Sequence, residues 1–566
     1  MKRKLLILSS FFFVISLMSC NKKDEVTTDN LVNLTISTNS GGYVGLYSDQ
    51  KLVDSINNVD STKEYSFKKG TEINLKVSKN EGFYLKKLIY NSENIKLESE
   101  YFTFNLLDDK NYIDINFSLI ETNIDDFTFS FDAENKEATI TKYECNNIPT
   151  PLIIPEEVNG YKVIGITDTA FDYSLITKIK LSKNIKYIPD GAFKNASNLE
   201  YFYTEENDYF SVVDGILYNK NKDNLIFVPI NYPNKDLILL DSIKQINDYA
   251  LYANRGIETI TFNKSLNKIG KYSFFNVYNL ESIEFPSSLK IISEYAFKQN
   301  TALKTITFNE GLEEIGNNAF YGCTKIRKLT FPTTLKSIGD DAFYHCDYLS
   351  EINFNEGLIS IGSRAFSNLS ALTKIAFPST LKSVGSSSFS ACAYLKEVDF
   401  SNIQDIGNYA FALCSSLNKI ELPSTIKNIG FNPFYAILNL NASNFSIKDN
   451  NYYLIENGVL FNKDKTKLIS YPYGLTNKEY KIPTTVKTLD NQCFALTNNL
   501  DKLYIPKSVT KIDEAFYGVT SSIEINYEGT IEEFNKIDKT GSNSYSINEG
   551  SYYLKEITCS DGVIKL

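Results

Sequence analysis

Two rhythms of apolar residues run along the chain. Residues 31–120 alternate apolar and polar positions in "LVNLTIST", "EINLKVS" and "YIDINFSLI", with Gly, Asn and Asp between the runs. A period of two is that of a half-buried strand, so this stretch predicts a small all-β domain. Farther on, "IG..AF" recurs and sets Phe274, Phe297, Phe320, Phe343, Phe366, Phe389, Phe411 and Phe434 apart by 22 or 23 residues. Phe171 and Phe193 begin the series, Leu251 occupies the same slot, and Phe494 and Phe516 resume it. A fixed period of this length belongs to a solenoid, in which no rung buries its own apolar faces and stability comes from stacking on neighbours.

One cycle, "LTKIAFPSTLKSVGSSSFSACAY", alternates Leu372, Ile375 and Phe377 before a Pro-Ser turn and then points Leu381, Val384 and Phe389 inward. Stacking like on like predicts one buried ladder of Ile283, Ile306, Leu329, Ile352, Ile375, Val398 and Ile420, and a second of the Phe anchors. Gly270, Gly316, Gly339, Gly362, Gly385, Gly407 and Gly430 recur in the turn, where a positive φ or a close approach is expected. Two stretches break the period, "VVDGILYNKNKDNLIFVP" (212–229) and "IENGVLFNKDKTKLISYP" (455–472), and they align with each other. Each reads as two strands around a polar "NK" turn, giving hairpin insertions near 205–240 and 445–480 that either project as binding features or are simply longer coils.

The first twenty residues change the picture from fold to address. Lys2, Arg3 and Lys4 precede an apolar run from Leu5 to Met18, too short for a comfortable membrane span, and read as a signal peptide (1–20). Its end, Leu17-Met18-Ser19-Cys20, resembles a bacterial lipobox, which implies acylation of Cys20 and a solvated tether at 21–30. Acyl chains would then hold an exported protein to the cell envelope.

The cycle "LP…IG…AF…C..L", in variants such as "IELPSTIKNIG" and "LEEIGNNAFYGCTKI", resembles the BspA-like leucine-rich repeats of bacterial surface proteins. The resemblance implies a mainly β fold, a right-handed leucine-rich-repeat solenoid of 22–23-residue repeats over 121–560, with "INYEGTIEEFNKI" and "ITCSDGVIKL" closing it as a cap at 523–566. Phe534 stands where the family usually has Trp. The "NEGFYLKKLIYN" stretch and the glycines of 31–120 are similar to bacterial surface repeat domains related to internalin B-repeats, which implies a spacer.

Composition narrows the chemistry. A formal charge of −10 gives no general attraction for phosphate backbones, so no nucleic-acid partner is expected. The single histidine, His345, cannot build a multi-His metal site and reads as a surface residue. Cys323, Cys346, Cys392 and Cys414 each follow a Phe anchor by three positions, in a column that elsewhere holds Leu369, Val277 and Asn300, and read as packing thiols lined up along the coil rather than metal ligands. With Cys145, Cys493 and Cys559 they make an odd number once Cys20 is acylated, which excludes a fully paired disulfide framework. The carboxylate neighbours Asp340-Asp341, Glu205-Glu206 and Asp125-Asp126 read as solvated turns. No P-loop, HExxH, GxSxG or EF-hand loop is present, so neither an enzyme nor a cofactor is expected.

Binding is the function left. Strand positions that alternate with the buried ladder face outward as a polar, mixed-charge surface that includes Lys328, Glu351, Lys374 and Glu397. Tyr321, Tyr344, Tyr348 and Tyr394 lie beside the Phe anchors and are the residue type that anchors interfaces and stacks on sugars. These eight are the candidate ligand-binding residues. The resemblance implies adhesion to a protein of a host or neighbouring cell; glycan capture for a nutrient system and a structural envelope role are the alternatives.

Overall fold

The computed structural model describes residues 31–39, 42–57, 59–80, 83–119, 122–144, 151–204, 206–497, 499–519, 522–540, 554 and 556–565. The signal peptide, Cys20, the tether, Cys145 and Glu205 lie outside the described residues. The chain divides into two units, 1–121 and 122–566. Among the described residues no helix is long and apolar enough to cross a membrane.

The first unit is built from two sheets. One orders the strands Ser61–Lys68, Leu31–Thr38, Lys110–Leu119, Phe83–Tyr90 and Glu93–Asn94; the other orders Lys51–Asn57, Gly42–Ser48, Glu72–Lys79 and Tyr101–Asn105. The period of two puts Val32, Leu34 and Ile36 of one sheet and Ile73, Leu75 and Val77 of the other into one core.

The second unit is a solenoid. Each rung contributes a three-residue strand, a turn, a two-residue strand, and a longer turn that carries the Phe anchor, as in Ser282–Glu284, Ile291–Ile292 and the turn through Phe297. The anchors stack as expected: from Phe274 through Phe411 successive ring centroids lie 4.6 to 5.5 Å apart with planes within 13°. The strand ladder of Ile283, Ile306, Leu329, Ile352, Ile375 and Ile420 is buried, but Val398 is only half-buried.

The short strands pair unevenly, and the sequence explains why. Two-residue strands from Gln245–Ile246 to Asn428–Ile429 run in unbroken parallel register. The three-residue strands pair only two by two, Ser282–Glu284 with Thr305–Thr307, Lys328–Thr330 with Glu351–Asn353, and Lys374–Ala376 with Glu397–Asp399. Rungs alternate between a Phe-Pro turn (Pro286, Pro332, Pro378) and a Phe-Asn turn (Asn309, Asn355). Proline has no N–H to donate to the preceding rung, so the ladder breaks before every Phe-Pro rung. A side chain restores the link. Glu310 accepts from the Thr333 N–H at 3.0 Å and hydroxyl at 2.8 Å across the break, while Asn309 Nδ2 reinforces the intact pair behind it, donating 2.8 Å to the Phe285 carbonyl. Glu356 holds the Ser379 N–H and hydroxyl in the same way. The residue after each glutamate must be glycine, because a Cβ on Gly311 or Gly357 would lie about 2 Å from the Ser287 or Thr333 carbonyl and φ is +125° or +122°.

The recurrent turn glycines prove to be sites of close approach and not of positive φ. A Cβ on Gly385 would lie 2.5 Å from the carbonyl carbon of Gly362, and one on Gly407 the same distance from that of Gly385. Positive φ falls instead two residues either side of each anchor, on Tyr295 and Gln299, Asn318 and Gly322, Asp341 and His345, Arg364 and Asn368. Those bends turn successive N–H groups the same way: Tyr295, Phe297 and Gln299 donate at 2.7 to 2.9 Å to Asn317, Ala319 and Tyr321 of the next rung.

The interruptions contain the expected hairpins around the "NK" turns, extend each by one strand, and build them into the coil. Each is a three-stranded meander, Phe210–Val213, Ile216–Asn219 and Asn224–Phe227, repeated 243 residues later as Tyr453–Glu456, Val459–Asn462 and Lys467–Ser470. Its last strand joins the parallel stack, pairing with Gln245–Ile246 or Thr488–Leu489. The middle strand is buried on both faces and acts as a wall: Ile216 and Tyr218 belong to the central core, whereas Leu217 belongs to the core of 127–230. In the second meander Leu460 faces the central core and Val459 and Phe461 face the C-terminal one. Buried Asn207 and Asn450 fix both meanders alike. The first donates to the Ile185 carbonyl at 3.0 Å and accepts from Phe210, the second donates to Ile426 at 2.8 Å and accepts from Tyr453.

The C-terminal segment adds the strand Glu524–Tyr527, the short helix Ile531–Asn535 started by a Thr530/Glu533 capping box, and the hairpin of Glu556–Cys559 with Gly562–Lys565. Phe534 is buried against Tyr527 with centroids 5.3 Å apart.

Candidate functional site

The eight candidate residues fall into three places rather than one. Lys328, Glu351, Lys374 and Glu397 lie on the outer face of the three-residue strands and are exposed, but they pair with each other across rungs. Lys328 meets Glu351 at 2.7 Å and Lys374 meets Glu397 at 3.2 Å. Exposed pairs of this kind stabilise little, and their charges are largely matched before any partner arrives.

Tyr348 and Tyr394 sit two rungs apart in one column, 58% and 60% exposed, with the Arg327 guanidinium 5.9 Å from the Tyr348 ring centre. Tyr321 and Tyr344 stand in a different column, half-buried, with ring centroids 5.2 Å apart. His345 is exposed, as expected, and packs edge-on to Tyr344 at 4.3 Å.

The structure joins Tyr321 and Tyr344 to aromatics the sequence reading passed over. Tyr249, Tyr272 and Tyr295 each precede an anchor slot by two positions and stack with centroids 5.0 and 4.6 Å apart and planes within 9°. Beside them Tyr252 stacks on Phe275 at 5.0 Å. The Lys298 ammonium then bridges to the next tyrosine column, 5.1 Å from the Tyr295 ring centre and 4.3 Å from that of Tyr321. An unbroken aromatic and cation–π chain therefore runs along the anchor-turn side from Tyr249 to Tyr344. The left-handed backbone at Tyr249, Tyr272 and Tyr295 places these side chains, because φ of +54° to +61° turns a position outward that strand geometry would not. The signal was present in the sequence as "DYAL", "KYSF" and "EYAF", aligned at the period of the repeat.

Other groups are structural. The four column cysteines are free and fully buried, and each thiol donates to the carbonyl of the preceding anchor, Cys323 to Phe297 at 3.2 Å and Cys414 to Phe389 at 3.2 Å. Asn300 makes the corresponding contact to Phe274 at 2.7 Å, so the slot takes hydrogen-bond donors as well as apolar groups. Burial pushes the Cys323 thiol up to about 12, which keeps it protonated and unreactive. Asp341 corrects the reading of Asp340-Asp341 as solvated: it is buried and accepts two bonds from the Arg364 guanidinium, at 2.7 and 2.6 Å. Among the described residues no group of three or more His, Cys, Asp or Glu could hold a metal ion.

The repeat geometry is matched by a family model. The model for the BspA type leucine rich repeat region aligns with residues 143–229, 230–350, 336–466 and 473–558, well over half of the chain. The chain belongs to the BspA-type leucine-rich repeat family. Three solved structures are similar to it. A leucine-rich repeat protein from Eubacterium ventriosum is 23% identical, with 43% of this chain and 64% of that chain covered and a TM-score of 0.39. A leucine rich cell surface protein from Faecalibacterium prausnitzii is 20% identical over 75% of this chain and 99% of that chain, with a TM-score of 0.37. A leucine-rich repeat protein from Bacteroides ovatus is 20% identical over 78% and 100%, with a TM-score of 0.40. The chain thus spans just under two thirds of the Eubacterium protein and essentially all of the other two. No curated protein matches.

Proposed function

We propose that this BspA-type repeat protein is a non-enzymatic cell-surface binding protein that holds a protein partner along its anchor-turn side and is tied to the envelope by acylated Cys20. The aromatic chain from Tyr249 to Tyr344 carries the first half of this reading. Tyrosines held by stacking present an apolar body and a hydroxyl with few rotamers left to freeze, which is the character of interface hot spots. The strand side offers paired charges instead. The lipobox-like Leu17-Met18-Ser19-Cys20 supports the second half.

Two experiments test the two halves. The ectodomain, residues 21–566, is titrated over immobilised extracellular-matrix proteins at two salt concentrations; saturable binding that persists at high salt is expected, because aromatic contacts are not screened. Binding that vanishes at high salt would contradict an aromatic surface, and silence across the panel would remove the adhesion reading. Cells expressing the full chain or Cys20→Ser are fed a labelled fatty acid; label on the first alone is expected, and label on neither would remove the anchor.

A further inference from the structure

The first unit carries an aromatic surface of its own, on the outer face of the sheet formed by Lys51–Asn57, Gly42–Ser48, Glu72–Lys79 and Tyr101–Asn105. Val44, Leu46, Ile73, Leu75 and Val77 point into the core, so the period of two turns Tyr43, Gly45, Tyr47, Asn74 and Lys76 outward. The register sets Gly45 between Ser55 and Lys76, with Tyr101 beyond, and sets Tyr47 between Leu52 and Asn74, with Thr103 beyond. Gly45 has no positive φ; what it contributes is room, because a Cβ there would lie 2.7 Å from the Tyr43 hydroxyl and 3.0 Å from the Tyr47 ring. The two tyrosines lie down over the glycine from either side, bury it, and turn their ring faces to solvent. One ring is enough to shield a strand glycine, so the second ring, and a third two strands away, exceed that need.

The groups around these rings are uncharged or neutralised. The Thr103 hydroxyl donates to Asn74 Oδ1, and Asn74 Nδ2 makes no hydrogen bond among the described residues. Lys76, the cation beside Gly45, is matched by Glu100 at 3.6 Å, and its ammonium lies 5.8 Å from the ring centre of Tyr101. Tyr101 is 52% exposed and stands two strands from the Tyr43/Tyr47 floor, about 10 Å across the sheet. The opposite sheet of this unit has no such floor, since its outward tyrosines, Tyr84 and Tyr112, stand at opposite ends of the register.

We propose that this face binds a neutral oligosaccharide of β-1,4-linked pyranose rings. One ring stacks on Tyr43 and Tyr47, a ring farther along the chain reaches Tyr101, and Asn74 donates to a hydroxyl between them. An aromatic face is apolar and flat, as is the C–H face of a pyranose, and a β-1,4-linked chain keeps its rings in one ribbon that follows a flat floor. A curved α-1,4-linked chain lifts off such a floor, and an anionic chain finds no unmatched cation there. The first unit is then a binding module as well as a spacer. The site is separate from the tyrosine chain of the solenoid, so the failure of either leaves the other standing.

The probes are cellotetraose and β-1,4-mannotetraose, titrated into the ectodomain by calorimetry, with maltotetraose and tetragalacturonate as the curved and the anionic control. Saturable binding of at least one β-1,4-linked probe, at least tenfold tighter than either control, is expected. It should weaken at least tenfold in Tyr47→Ala/Tyr101→Ala, and as much in Gly45→Val, which keeps every tyrosine but lifts two rings off the sheet. Circular dichroism and thermal unfolding check the fold of each variant. Binding of neither β-1,4-linked probe, equal binding of a control, or weakening in the solenoid variant Tyr272→Ala/Tyr295→Ala with none in Tyr47→Ala/Tyr101→Ala would overturn the proposal.

Discussion

The strand side and the anchor-turn side of the solenoid stack the same rungs by different means. On the strand side every second rung forgoes its ladder bonds at proline, and a dedicated glutamate, Glu310 or Glu356, spans the break while Asn309 and Asn355 reinforce the rungs that remain paired. Residue identity there is fixed by stacking. On the anchor-turn side backbone N–H groups, all turned one way, make the regular joining bonds, at the expense of two left-handed residues per rung, and Asn300, the column cysteines and the Arg364–Asp341 pair add to them. The side chains at those positions are then free to vary, and Tyr, Asn, Asp, Arg and Ser occupy them in turn. A repeat that must keep its period can evolve a binding surface most easily where the bonds that recur in every rung come from the backbone.

This contrast can be broken most severely through what both sides share. Phe320→Ala removes a fully buried anchor and is expected to cost roughly 3–5 kcal/mol, read by denaturant unfolding. The meander walls sharpen that result, because hydrogen exchange should rise in 231–455 more than in 127–204 or 480–540; a uniform rise would mean the walls do not divide the core. Next comes Gly357→Ala, which drives a Cβ into the Thr333 carbonyl in a backbone suited to glycine and is expected to destabilise by about 2–3 kcal/mol.

The anchor-turn side should respond with the opposite sign. Ala391 holds φ +61°, so Ala391→Gly is expected to stabilise the protein by about 1 kcal/mol. A loss would show that the left-handed bends are not strained. The smallest effect is acid sensitivity of the strand side. Bonds from Thr333 and Ser379 hold the Glu310 and Glu356 carboxyls below the usual carboxylate range. A carboxyl with a lowered folded pKa stabilises the fold above its unfolded pKa and loses that contribution as pH falls through the folded value. Between about pH 5 and 3 the wild type should therefore lose slightly more thermal stability than Glu310→Gln/Glu356→Gln; parallel pH profiles would mean the clamps are idle.

Much of this architecture was readable in the sequence, and the losses have physical causes. The anchors and the Ile ladder were legible because burial constrains them identically in every rung. The Phe-Pro/Phe-Asn alternation was equally present but hidden by alignment on a single period, which averages a two-rung pattern away. Of the two roles expected of the turn glycines, close approach holds, and positive φ falls instead on Tyr272, Tyr295 and Asp341, which only the backbone shows. The tyrosine chain was hidden for the same reason, since only that bend sets Tyr249, Tyr272 and Tyr295 side by side. The buried Asp341 was missed because its partner, Arg364, is 23 residues away in sequence but one rung away in space. The hairpins around the "NK" turns were legible, and the strand ahead of each was legible too, since Asp214-Gly215 and Asn457-Gly458 are strong hairpin-turn signals, but it was passed over.

The most direct test of the account sets the two sides against each other in one assay. The ectodomain, Tyr272→Ala/Tyr295→Ala and Lys328→Ala/Lys374→Ala are compared for binding to whichever immobilised matrix protein the wild type holds, with thermal unfolding confirming that each variant is folded. The account predicts at least tenfold weaker binding for the tyrosine variant and an unchanged affinity for the lysine variant. The reverse result would contradict it and place the partner on the strand side.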